Sequence, residues 1–150
     1  MKRLFCLILL GLMFEGGVMA ENRFSKVGYS GNVGLSLSPV GSGEMEIMTS
    51  HGYSFGNGLW AGGGVGSFVR FSYDEMQITA FSEAKYNFMR ESVVSPFLNC
   101  KFGFATDFDG GCYALCSQAM GIDVGRFSIF ASYKILSNVR TTNFGVSVNF

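Results

Sequence analysis

Val27-Gly28-Tyr29-Ser30-Gly31-Asn32-Val33-Gly34-Leu35-Ser36-Leu37-Ser38 is the stretch that decides the fold. Five of its six odd positions are apolar, and every even position is Gly, Ser or Asn. Side chains on a strand alternate between faces, so this is a strand with one oily face and one small, polar face. The same two-residue period closes the sequence, where Phe144, Val146, Val148 and Phe150 alternate with Gly145, Ser147 and Asn149.

Working inward from these two ends, six more strands are expected at about 44–55, 59–69, 77–88, 96–105, 112–123 and 127–135. The segments between them are turn-like: 39–43, Gly56-Asn57-Gly58, Asp74-Glu75, 90–95, 107–111, Gly125 and 137–142. Asn57-Gly58 is the strongest hairpin signal, because both residue types tolerate positive φ. No stretch after residue 20 shows helical periodicity of useful length. Eight strands of ~9–11 residues, the length that spans a bilayer when tilted, fill the chain with short connections. The fold class expected is therefore all-β, a single antiparallel up-and-down transmembrane barrel.

Composition points the same way. Aromatic residues make up 15% of the chain and Gly is abundant at 21, whereas Pro occurs twice. Tyr29, Tyr53, Phe55, Trp60, Tyr86, Phe88, Phe97, Phe127 and Phe150 fall towards one end of the expected strands. Phe71, Tyr73, Phe104, Tyr113, Tyr133 and Phe144 fall towards the other. Two aromatic belts around a band of Val, Leu, Ile and Ala suit the two interfaces of a membrane. The alternative is a soluble, lipocalin-like barrel, whose core would have to absorb nearly all of these rings.

The first twenty residues have the parts of a secretory signal peptide. Lys2 and Arg3 precede an apolar run from Leu4 to Phe14, and Val18-Met19-Ala20 is a small-residue cleavage site. The run is shorter than the ~20 residues of a membrane-spanning helix. Cys6 sits too early in it to be a lipid-attachment site. The domains expected are thus a signal peptide over 1–20 and a barrel over 21–150. Of eleven basic and eleven acidic residues, nine and ten remain after Ala20. That balance argues against nucleic acid as a partner. Cys100, Cys112 and Cys116 cannot all pair. Cys100 and Cys116 could face each other across a hairpin centred near Phe108; otherwise all three behave as small apolar residues.

If the oily face meets lipid, the other lines the lumen. It carries Glu44, Glu46, Glu83, Lys85, Lys101, Asp123 and Lys134. An eight-stranded barrel is only wide enough for side chains to fill. Unpaired charge there is costly, so Glu83 or Glu46 is expected to pair with Lys85, Lys101 or Lys134. A narrow gated pore is the alternative. Gly62, Gly63, Gly64 and Gly66 leave both faces of the third strand small, so its inward face cannot be assigned. They are expected either to admit large inward neighbours such as Phe81 or to let the strand bend.

His51-Gly52-Tyr53-Ser54-Phe55, Gly62-Gly63-Gly64-Val65-Gly66, Phe81-Ser82-Glu83-Ala84-Lys85-Tyr86-Asn87-Phe88 and Phe144-Gly145-Val146-Ser147-Val148-Asn149-Phe150 together resemble small bacterial outer-membrane β-barrel domain proteins of the OmpX and OmpA-barrel kind. The resemblance implies that Phe144, Val146, Val148 and Phe150 form the last-strand signal read by the barrel-assembly machinery. Outer-membrane lipid is the expected surrounding, and the chain is expected to be a monomer. Binding members of that family carry long outer loops, and the connections here are short.

Function is less legible. A structural or interaction role without catalysis is expected, with a narrow channel as the alternative. A lipid-modifying enzyme would have to use His51, the sole histidine, with Ser50 or Ser54 and Glu44 or Glu46. Ser50 and Ser54 have the opposite parity to His51 and so point through the other side of the wall. With one His and three scattered Cys, neither a metal site nor a cofactor is expected.

Overall fold

The computed structural model describes residues 26–39, 43–71, 75–89 and 91–150. The expected signal peptide and its cleavage point at Ala20 lie outside the described residues, as does Tyr73. Eight antiparallel strands form one closed barrel in sequence order. They are β1 (Val27–Ser38), β2 (Glu44–Phe55), β3 (Leu59–Arg70), β4 (Glu75–Asn87), β5 (Val94–Asp107), β6 (Cys112–Val124), β7 (Phe127–Leu136) and β8 (Val139–Asn149). β1 starts and β8 finishes at one end, called here the near end; the opposite end is the far end.

Pairing fixes the shape. A walk from Asn32 runs through Ser50, Gly64, Phe81, Gly103, Leu115 and Leu136 to Val139 on β8. The β8 residue that Asn32 itself pairs with is Asn149. The stagger on closure is the difference, 149 minus 139, or ten residues. With ~3.3 Å rise and ~4.8 Å between strands, that shear tilts the strands by about 41° and sets a backbone radius of about 8 Å. Twelve residues then climb about 30 Å, the thickness of a bilayer's hydrocarbon.

The barrel is built inside out. Val33, Ile47, Val65, Ile78, Phe102, Ile122, Ile129 and Val146, one from each strand, lie exposed on the outer wall. Among the described residues, twenty of the buried side chains are polar or charged and eight are apolar. A continuous apolar girdle of this kind aggregates in water and is stable in lipid. The soluble-barrel alternative is thereby set aside, since the oily face points out.

Several strands reach further than the sequence reading gave them: β5 runs from Val94 to Asp107, into the turns expected at 90–95 and 107–111, and β4 and β8 start early. β4 begins at Glu75, which the reading put in a turn. β8 begins at Val139 rather than near 144, so the turn is only Ser137-Asn138. Arg140 is exposed on the outer wall at the rim, and Thr141 and Asn143 point inward, so hydropathy does not alternate there. Ser137 turns the chain with φ at 53°, the one positive-φ non-glycine among the described residues. At the hairpin read from Asn57-Gly58, the positive φ values belong to Gly56 and Gly58, while the Asn57 side chain accepts from Leu59 N at 3.0 Å.

The third strand's inward face is its even face: Trp60, Phe68 and Arg70 are buried. Its glycines are seats for rings. A Cβ on Gly52 or Gly62 would lie 2.7 Å from the Trp60 indole, and one on Gly64 would lie 2.8 Å from the Phe81 ring. Bare backbone here makes room for aromatic side chains that cross the lumen. Trp60, Phe97 and Tyr113 therefore do not belong to the aromatic belts. Trp60 and Phe97 are buried, and Tyr113 packs against the core and donates to Asp107 at 3.1 Å.

The cysteine pairing is also corrected. Cys100 lies opposite Gln118, and Cys116 lies opposite Phe102, because the hairpin centres one residue later than Phe108. Cys100 and Cys116 are diagonal neighbours, ~7–8 Å apart at Cα, too far for a disulfide. All three thiols are free.

Candidate functional site: the filled lumen

The inward charges and amides group into three levels along the barrel axis. At the far end, Glu44 and Glu46 sit two residues apart on β2 and so point the same way. Lys134 of β7 reaches across to both, hydrogen-bonding Glu44 Oε1 and lying 3.2 Å from Glu46 Oε2. Arg70, the pairing partner of Glu44 on β3, brings Nε to 3.5 Å from Glu44 Oε2 and Nη1 to 3.5 Å from Glu75 Oε2. Asn143 donates to Glu44 Oε1 at 3.4 Å.

At the near end the centre is Asp123 of β6. Its Oδ1 accepts from Lys85 Nζ at 2.9 Å and from Ser128 at 2.5 Å, and its Oδ2 accepts from Asn87 at 2.5 Å. Asn149 on β8 continues the network by donating to Ser128 at 2.8 Å. Five strands contribute to this level, counting Ser95 of β5, which Asn87 also reaches at 3.4 Å.

Between the two clusters Asn99 donates to Glu83 Oε1. Lys101 points to Met48 Sδ, 2.6 Å away, instead of to a carboxylate. Here lies a small chamber, lined among others by Asn32, Glu83, Asn99, Lys101 and Ser117, with about 40 Å³ open to the centres of water molecules. At ~10–15 Å³ per water this admits two to four waters and no metabolite.

Each inward cation rests on a phenylalanine face. Lys134 lies 4.0 Å and Arg70 5.2 Å from the Phe68 centroid, Lys85 lies 3.9 Å from that of Phe97, and Lys101 lies 4.9 Å from that of Phe81. Ring faces carry negative potential, so they stabilise cations where water is scarce. The fully enclosed carboxylates Glu44, Glu46, Glu83 and Asp123 are matched in number by Arg70, Lys85, Lys101 and Lys134. A fifth carboxylate, Glu75, joins Arg70 from the exposed rim.

All seven charges singled out in the sequence point inward, but their partners differ from those expected. Of the expected pairs, Glu46 with Lys134 is seen among the described residues. Lys85 turns to Asp123. Glu83 and Lys101 are opposite each other across β4 and β5, yet among the described residues they make no ion pair. Asn99 occupies Glu83, and the Lys101 chain extends to Met48 instead. Sequence reasoning missed Arg70, Phe68 and Phe97, and the amides Asn87, Asn99, Asn143 and Asn149. Arg70 and Phe68 share the parity of Trp60, a signal masked by the glycines between them.

His51 is on the outer wall. Tyr29 Oη lies 2.5 Å from its Nδ1, and Thr49 Oγ1 lies 3.3 Å from its Nε2. Ser50 points into the lumen, where Asn32 donates to it at 2.7 Å. The wall separates histidine from serine. Among the described residues no group of three His, Cys, Asp or Glu side chains is placed to hold a metal ion. The last-strand residues Phe144, Val146, Val148 and Phe150 are all exposed on the outer wall.

No family model matches the chain, and no curated protein is similar to it. Solved structures do resemble it. The outer-membrane protein Ail of Yersinia pestis, in a phospholipid bilayer nanodisc, superposes with a TM-score of 0.56 at 14% identity, covering 83% of this chain and 100% of that one. The outer-membrane enzyme PagL gives 0.57 at 11%, covering 79% and 98%. A de novo designed transmembrane β-barrel gives 0.58 at 11%, covering 81% and 95%. An enzyme and a design without ancestry share this backbone, so the fold by itself does not select an activity. What the likeness establishes is architecture: the chain has the fold of the small, eight-stranded outer-membrane barrels.

Proposed function

We propose that this protein is an integral outer-membrane barrel that seals its own lumen, and that it serves the bacterial envelope structurally or through its surface, without catalysis. The carrying observation is the three-level filling of the interior, with ion-paired clusters above and below a chamber of a few waters. An ion crossing it would have to displace Lys134 from two carboxylates and Lys85 from Asp123, leaving buried charge unpaired. Absence of catalysis is supported by the wall that divides His51 from Ser50 and Ser54. The reading includes outer-membrane lipid around the girdle, passage through the barrel-assembly machinery, and a monomeric state.

Conductance tests the seal. Purified protein reconstituted in planar bilayers is expected to give no steady current, with folding verified by heat-modifiable migration. Steady unitary currents from the folded protein would overturn the seal and favour the narrow channel.

A further inference from the structure

The ladder that closes the barrel is its weakest. β1 and β8 share six paired positions, Asn32↔Asn149 to Leu37↔Phe144, whereas β1 and β2 share twelve. At the near end this seam is extended by one more residue. Gly31 and Phe150 exchange two backbone hydrogen bonds, each 2.9 Å. The Phe150 ring then lies over Gly31, so close that a Cβ there would be 2.9 Å from two ring carbons. His51 of β2 meets the same ring edge-on, with centroids 5.8 Å apart. The imidazole is itself held, stacked on Tyr29 at 6.0 Å and contacted at both nitrogens by Tyr29 and Thr49.

The outward face of β1 reads Val27, Tyr29, Gly31, Val33, Leu35, Leu37. Gly31 is its only bare position. A seam slipped by two residues keeps the oily face outward, so hydropathy alone does not forbid it. Such a slip would set Phe150 against Tyr29 or Val33 instead of bare backbone. It would also change the shear by two, and with it the radius on which the lumen clusters depend. We propose that Gly31, His51 and Tyr29 form a binding seat for the Phe150 ring that latches the β1–β8 seam and selects the register in which the barrel closes. The seat belongs to the chain itself, so it acts whether or not assembly machinery is present.

The test uses refolding into phosphatidylcholine vesicles, where no machinery is present. In a background with Cys100, Cys112 and Cys116 replaced by Ala, Leu35→Cys with Val146→Cys reports the native seam, and Leu35→Cys with Val148→Cys or with Phe144→Cys reports a seam slipped one way or the other. With the seat intact, oxidation is expected to cross-link the native pair alone. Gly31→Val, which fills the seat with a good strand former, is expected to give cross-linking in a slipped pair as well. His51→Ala is expected to raise the unfolding rate about threefold to tenfold, the scale of one aromatic contact, with His51→Phe restoring it. Should Gly31→Val fail to fold, amide exchange in the unsubstituted chain decides. Protection of the Phe150 amide equal to that of Val148 supports the latch, and free fraying overturns it. The latch is also overturned if Gly31→Val keeps the native cross-link alone, or if His51→Ala unfolds at the original rate.

Discussion

Replacing Lys134 with Met gives the most direct measure of what the far-end cluster contributes. The side chain is 3% exposed and, among the described residues, is the one group that touches both Glu44 and Glu46. Met preserves the length and most of the contact with Phe68, so the loss is electrostatic more than steric. Removing one partner of a buried pair costs about 3–5 kcal/mol, because the remaining charge keeps its desolvation penalty. Two carboxylates are stranded here, which pushes the figure to the upper part of that range. Arg70, still 3.5 Å from Glu44, pulls it back. We therefore expect a loss of about 4 kcal/mol, read as a lower urea midpoint for the barrel in phospholipid vesicles at unchanged slope. Adding Glu46→Gln removes one stranded charge and is expected to recover a substantial part of the loss, a coupling that a double-mutant cycle isolates. A loss below about 1 kcal/mol, the range of a solvated surface pair, would refute the claim that the cluster is water-excluded.

Two other perturbations probe the backbone and its ring seats. Ser137→Gly removes the left-handed strain of a non-glycine turn residue and should stabilise the barrel by about 1 kcal/mol in the same unfolding assay. Trp60→Ala empties the space above Gly52 and Gly62 and should cost about 3–5 kcal/mol. Gly52→Ala should also destabilise, since its new methyl would lie 2.3 Å from the Ala61 carbonyl oxygen. If Gly52→Ala unfolds at the original midpoint, the ring-on-glycine packing is wrong.

The wall of this protein was legible in its sequence because its two faces differ in kind. Odd positions of β1 and even positions of β8 carry hydrocarbon, and their neighbours carry Ser, Asn and Gly. A period of two is then unambiguous. The lumen was legible only in part. Charged residues declare themselves inward, because lipid excludes them; Glu44 through Lys134 were found that way. Aromatic residues do not, since a ring suits either side. Whether Trp60 and Phe97 point in depends on which glycines face them across the ladder, and that requires the register. Pairing also depends on reach. Lys101 and Glu83 are ladder neighbours, but a lysine can extend past its neighbour, and a shorter amide claimed the carboxylate first. The start of β8 was missed because Val139 to Asn143 lies at the rim, where neither face need be oily.

The connections between strands are short at both ends, and none spans more than the six residues between β4 and β5. Most of the surface that the described residues present is therefore the flank, an apolar wall turned sideways into the plane of the lipid.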